Sequence, residues 1–179
     1  YTDYALKQFF IMAQKQSWYK NTIFVIIADH CASSAGKTEL PMDKYRIPAM
    51  IFDPTVPGSI NPILMSQIDI MPTLFGKLNF SYTSKFYGQD VFSADYKPRA
   101  FIATYQDLGF IKDDILTIIS PKQKVKQFDL ILQSSTLPKE FQFMYEEKPK
   151  KEINNELVNE TISFYQTTSE ILKNKKYQK

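Results

Sequence analysis

The apolar pattern changes period along the chain. In "DYALKQFFIMAQKQ", 3–16, Ala5, Leu6, Phe9, Phe10, Met12 and Ala13 recur at helical spacing, with Lys and Gln opposite. "SWYKN" breaks that pattern, and "TIFVIIA", 22–28, follows as a β-branched, almost continuously apolar run. Such a run suits a strand buried on both faces, as in a parallel sheet. A loop is expected over 29–45, then a second short strand in "RIPAMIFD", 46–53, with Pro48 imposing an irregular start or an edge position. Pro54, Pro57, Gly58 and Pro62 mark another loop. "SQIDIMPTLFGKLN", 66–79, contains a helix. Asp69 as its cap leaves Pro72 in the first turn, where proline is tolerated. Helix, strand, loop, strand and helix in that order make an α/β layout.

Beyond about residue 97 the pattern shortens. "RAFIATYQ", "LGFIKDD", "ILTIISP" and "KVKQFDLIL" are closely spaced and β-rich, which predicts a small antiparallel meander. Residues 136–151 have the composition of a loop. Residues 152–173 predict a final helix whose stripe, Leu157, Phe164 and Ile171 with Val158, Tyr165 and Leu172 beside them, packs against the domain.

Composition adds limits. The chain has 179 residues, 44% of them hydrophobic and 15% aromatic, enough for a folded domain with a sizeable core. The net charge is only +3, with lysines crowded into the last third. A basic tail of this kind is a solvated surface unless a nucleic-acid motif stands beside it, and none does. The single cysteine excludes an internal disulfide and a thiolate zinc cage. The sequence opens on Tyr1 without an initiator Met, and a helical pattern begins at once. That is the look of a piece of a longer protein, with any leader or membrane anchor upstream.

The candidate chemistry lies in "DHCASSAGKT", 29–38, directly after the first strand. Gly36, Lys37 and Thr38 imitate the end of a phosphate-binding P-loop. Cys31 stands where its first glycine belongs, and a Cβ there obstructs the turn. Pro41 follows three residues after Thr38, which leaves no room for the helix whose N-terminus should face phosphate. The nucleotide reading fails on both counts. Asp29 and His30 remain. A carboxylate and an imidazole at the C-terminal end of a strand suit Zn²⁺ or Mn²⁺ and occupy the sheet edge where ligands bind. His30 is the only histidine, and a catalytic zinc takes about three protein ligands, so the pair is at most part of a site. The plain alternative is a surface or strand-capping pair.

The order of these segments resembles the sulfatase and alkaline-phosphatase superfamily, and most nearly its lipoteichoic acid synthase-like branch. The likeness rests on "YTDYALKQFF", "TIFVIIADH", "KYRIPAMIFDP", "SQIDIMPTLFGKLNFSY" and "FYGQDVFS". In that branch a strand ends in an Asp-His metal pair. A basic residue with "(V/I)P", a "(Q/V)-x-D-(I/V)-x-P-T-L" helix and a "G-x-D-(L/V)" turn follow it. Here these are Asp29-His30, Arg46-Ile47-Pro48, Gln67 to Leu74 and Gly88-Gln89-Asp90-Val91. Cys31 departs from the glycine usual after the pair.

The resemblance implies the C-terminal part of an alkaline-phosphatase-like α/β sandwich over 1–95. A small antiparallel β subdomain with a C-terminal helix follows over 96–179. It implies that Asp29 and His30 hold a divalent metal (Mn²⁺, Zn²⁺, Mg²⁺ or Ca²⁺). The nucleophile and another metal-binding acid would precede Tyr1, and the sulfatase motif C-x-[PS]-x-R is absent here. The implied substrate is a phosphate or sulfate ester, cleaved or transferred, with no nucleic acid as partner. The implied setting is extracytoplasmic, on a membrane only through a missing N-terminal anchor. The chain by itself would be inactive. From its place in the loop, Lys37 is expected to neutralise a substrate oxygen. Ser33, Ser34 and Thr38 are expected to hydrogen-bond within the loop, and Asp69 and Asp90 to be structural. A non-catalytic binding or structural module that keeps the fold is the alternative.

Overall fold

The computed structural model describes residues 1–31, 40–133 and 144–177. It is an α/β chain with two compact units: Tyr1–Asp29 with Ile47–Ile60, and His30–Arg46 with Asn61–Lys179.

In the first unit, helix α1 (Thr2–Ala13) accompanies a two-stranded sheet of β1 (Phe24–Ile27) and β2 (Ala49–Phe52). Phe24 organises it. Its ring lies 5.2 Å from Phe10, 5.7 Å from Tyr19 and 5.8 Å from Phe9, a mostly edge-on cluster of the kind aromatic quadrupoles favour. Pro48 stands just outside β2, as its missing N–H requires, and its carbonyl accepts from Ala28 N–H. The expected parallel, doubly buried strand is not found. β1 runs antiparallel to β2, Phe24 opposite Phe52 and Ile27 opposite Ala49, and Val25 is 37% exposed. A parallel pair needs a long crossover, usually helical. The only described helix between β1 and β2 is a 3₁₀ turn at Met42–Tyr45.

The second unit is built on a five-stranded antiparallel meander: β3 (Ala100–Ala103), β4 (Leu108–Lys112), β5 (Ile115–Ser120), β6 (Lys124–Leu132) and β7 (Tyr145–Pro149), adjacent in sequence order. Asp113 and Asp114 both take positive φ in the β4–β5 hairpin, as a tight turn matched to strand twist demands. β7 falls where a loop was expected. Its alternation is real but carried by Tyr145 and Glu147 rather than by aliphatic residues, and it closes the sheet edge with Pro149.

Period-two alternation gives the sheet two faces. Helix α3 (Asn155–Lys173) covers one of them. Phe164 lies 5.0 Å from Phe101 and 5.6 Å from Phe110, and Lys112 pairs with Glu160 at 2.7 Å. Asn154 caps α3 through Glu156 and Leu157 N–H, and Gln127 on β6 grips both Thr117 and the Asn154 backbone. The predicted stripe therefore packs through Leu157, Val158, Phe164 and Tyr165, while Leu172 at its end is 60% exposed. The opposite face carries the main core: Leu40, Ala100, Ile102, Ile111, Leu116, Ile118 and Leu130.

Tyr165 donates its hydroxyl to the carbonyls of Ile102 and Gly109. Burial pushes its phenol up to about 12, partly offset by the Gly109 contact. A phenol whose folded pKa is raised adds stability that is complete below its ordinary value of 10.0 and is lost as pH climbs toward the folded value. Stability should therefore fall between those two values less steeply in Tyr165→Phe than in the parent chain. Equal slopes in denaturant titrations at stepped alkaline pH would contradict this.

Candidate metal centre

β1 ends at Ile27, and Ala28 leads straight to Asp29 and His30, both exposed. Asp29 closes a segment of the first unit and His30 opens the second. His30 Nδ1 lies 2.8 Å from the carbonyl oxygen of Cys31. A carbonyl only accepts, so Nδ1 is the donor in this contact. A backbone carbonyl on the far nitrogen is the usual orienting contact of a metal-binding histidine. Cys31 is 7% exposed and packs as a small apolar side chain. Among the described residues no group of three or more His, Cys, Asp and Glu side chains converges on one point. The donor set thus fits a divalent ion in kind but supplies two ligands. Lys37, Ser33, Ser34 and Thr38 lie outside the described residues.

The far end of the loop after His30 is fixed by the meander. Leu40 is 2% exposed and sits in the core of the face opposite α3. A Cβ on Gly109 would come within 2.7 Å of Ile102 and 3.2 Å of Leu40, so the glycine gives Leu40 its seat. Met42 N–H donates to Glu147 at 2.8 Å and Tyr145 N–H to Asp43 at 3.4 Å, which ties this segment to β7. Burial, then Cys31 and Asp107, raise the Tyr45 phenol, which therefore stays neutral at physiological pH.

The "QIDIMPTL" and "GQDV" motifs converge on Asp69. Asp69 is the N-cap residue of helix α2 (Ile70–Lys77), as expected, but its side chain makes no cap hydrogen bond there; the side-chain cap is Ser66, one turn earlier. Ser66 and Asp69 form a reciprocal capping box around a 3₁₀ turn, Gln67–Asp69, that runs into α2. The Asp69 carboxylate is fully buried and accepts from Ser66 N–H at 2.9 Å, Gln89 N–H at 2.8 Å and Arg99 at 3.0 Å. Arg99 is itself 3% exposed and also reaches the Tyr87 carbonyl at 2.8 Å. The turn 87–91 can come this close only because residue 88 is glycine: a Cβ there would fall on the carbonyl oxygen of Ile68. Asp90 closes that turn by accepting from Phe92 N–H, and Thr73 accepts from Val91 N–H. Both acids are structural, as expected.

The Ser-x-x-Asp spacing that marks the capping box is legible in the sequence; Arg99, thirty residues from its partner, is not. Glu147 carries no sequence signal at all. A hollow of about 290 Å³ lined by Pro72, Tyr82, Asp90 and Tyr96 among others includes neither Asp29 nor His30.

Residues 1–80 match the model of the sulfatase family. A crystal structure of a protein in the alkaline phosphatase superfamily from Vibrio parahaemolyticus matches 99% of this chain, with a TM-score of 0.82 and 26% identity. Over residues 1–80 the chain is similar to the sulfatase family, and its fold is that of an alkaline-phosphatase-superfamily protein. Lipoteichoic acid synthase 1 of Bacillus subtilis (strain 168) is 30% identical to it over 111 residues, 54% of this chain. The chain spans 17% of that synthase and 41% of the Vibrio protein. Members of the superfamily act on sulfate and phosphate esters and generally use divalent metals. Among the described residues, no helix is long and apolar enough to cross a membrane.

Proposed function

We propose that Asp29 and His30 are two ligands of a divalent metal in a sulfatase-like enzyme that hydrolyses or transfers a phospho- or sulfo-ester. This chain would be its C-terminal part. On this reading residues 1–95 complete the catalytic domain, and residues 96–179 form a subdomain that braces the loop after His30. The observation that carries it is the Asp-His pair directly after β1 inside the family-matched segment, with His30 oriented by the contact of its Nδ1 with the Cys31 carbonyl. A divalent ion there (Mn²⁺, Zn²⁺, Mg²⁺ or Ca²⁺) would lower the pKa of a hydroxyl nucleophile and offset charge on the ester oxygen. Asp29 supplies the anionic ligand and His30 the neutral one. Lys37, in the same loop, would meet a substrate oxygen. The nucleophile and the remaining acid would come from a segment preceding Tyr1. A membrane anchor there would hold the whole protein on the extracytoplasmic side.

Two ligands give weak binding. Calorimetry on this chain should therefore show weak uptake of Mn²⁺ or Zn²⁺ that His30→Ala removes. Tight stoichiometric uptake that survives His30→Ala would overturn the role given to His30.

A further inference from the structure

Two segments of the second unit finish side by side. Helix α2 ends in a Schellman close: Asn79 takes φ 53, its N–H bonds the Gly76 carbonyl, and Phe80 N–H bonds the Phe75 carbonyl. The chain then runs to α3, where Tyr87 lies 6.2 Å from Phe164 and Lys85 Nζ donates to the Lys176 carbonyl at 2.5 Å. α3 ends in the same kind of close. Lys175 takes φ 50, Lys176 N–H bonds the Ile171 carbonyl at 3.0 Å and Lys175 N–H the Leu172 carbonyl at 3.2 Å.

These two closes set a basic cluster beside an aromatic one. Lys173, Lys175 and Lys176 ring the end of α3. Phe80, Tyr82 and Phe86 gather around Phe75, with centroids 5.0 to 6.5 Å from its ring, yet remain 57%, 46% and 54% exposed. At the end of α3, Leu172 and Tyr177 are also open to solvent, at 60% and 51% exposure. Lys176 pairs with Glu170 at 2.7 Å, and lysines at a helix C-terminus complement its dipole. Neither fact accounts for half-exposed aromatic rings maintained next to them.

We propose that this face is a peripheral binding surface for an anionic lipid bilayer. The lysines would meet headgroup phosphates while the rings and Leu172 enter the interfacial layer. Charge complementarity selects the occupant: residues 170–177 with Lys85 carry four lysines against one glutamate, 4 − 1 = +3. The packing of the rings selects a bilayer over single-stranded nucleic acid. They lean on Phe75 and on one another, as Tyr82 and Phe86 do at 6.2 Å, and so form one apolar knob rather than separate platforms for bases.

The test is co-sedimentation of the 179-residue chain with vesicles of phosphatidylcholine, with and without phosphatidylglycerol. Partition should require phosphatidylglycerol and fall as salt is raised. At about fivefold per lysine, the triple change Lys173→Gln, Lys175→Asn and Lys176→Gln should weaken it by roughly 100-fold at low salt. Asn keeps the left-handed conformation at position 175. Phe86→Ser should also weaken partition. Leu172→Ser, in a side chain that is mostly exposed, gives the same reading should Phe86→Ser disturb the circular dichroism spectrum. Equal partition onto pure phosphatidylcholine would overturn the proposal. So would partition that neither the lysine nor the apolar variants reduce, or tighter binding to a single-stranded oligonucleotide than to the mixed vesicles.

Discussion

Asp69→Ala is expected to destabilise the second unit by about 3–5 kcal/mol, the cost of leaving a buried charge without its partner. The carboxylate is fully buried and joins four points of the chain: the Ser66 turn, Gln89 in the glycine turn, Tyr96 and Arg99. Its loss strands a guanidinium that is 3% exposed and leaves the Ser66 and Gln89 amides without their acceptor. The expected loss is a large share of the 5–15 kcal/mol typical of a domain. Arg99→Met should cost less, because the carboxylate keeps its two amide donors. Replacing both residues by apolar ones of similar size should recover part of the loss. The urea dependence of amide exchange at Gln89 and Phe101 reads the unit that matters, whereas Trp18, the single tryptophan, reports on the other one. A change of less than about 0.5 kcal/mol, the scatter of surface substitutions, would show that the buried pair is not the latch described.

The larger effect is expected on turnover. In the longer protein proposed above, Asp29→Ala and His30→Ala should each lower ester turnover by more than the 10–100-fold that loss of a mere orienting contact costs at a metal site. Asp29→Ala would remove the charge proposed to hold the cation. His30→Ala would remove the proposed imidazole ligand, whose ring is oriented by the Cys31 carbonyl. Excess metal should restore part of the activity in each variant if the ligand only sets affinity, and none if it also sets the nucleophile's acidity. Both variants should keep the fold, since both side chains are exposed and neither belongs to the core.

The sequence was most informative where period and chemistry agreed. The meander's first four strands, α3 and the start of β2 after Pro48 lie where alternation, helical stripe and proline put them. The misses share a cause: the deciding contact is distant in sequence. β1 is apolar enough for a doubly buried strand, but its direction relative to β2 depends on the connection between them, and no pattern within seven residues encodes that. β7 is held by Glu147 on Met42, 105 positions away, and its charged letters resemble a loop. Asp69 is recognisable as an acid at a helix start. Its true role needs Arg99 and Gln89, which only the fold brings to it. The Asp-His pair stood out for the opposite reason: its chemistry is local, two ligand types in succession after a strand.

The most direct measurement is turnover of generic phosphate and sulfate esters by the full-length protein, stripped of metal and titrated with Mn²⁺, Zn²⁺, Mg²⁺ or Ca²⁺, with and without Asp29→Ala. Activity on at least one ester class that returns with metal in the parent protein and is lost in Asp29→Ala is the expected result. Metal-dependent turnover that Asp29→Ala leaves unchanged would contradict the assignment of the metal centre.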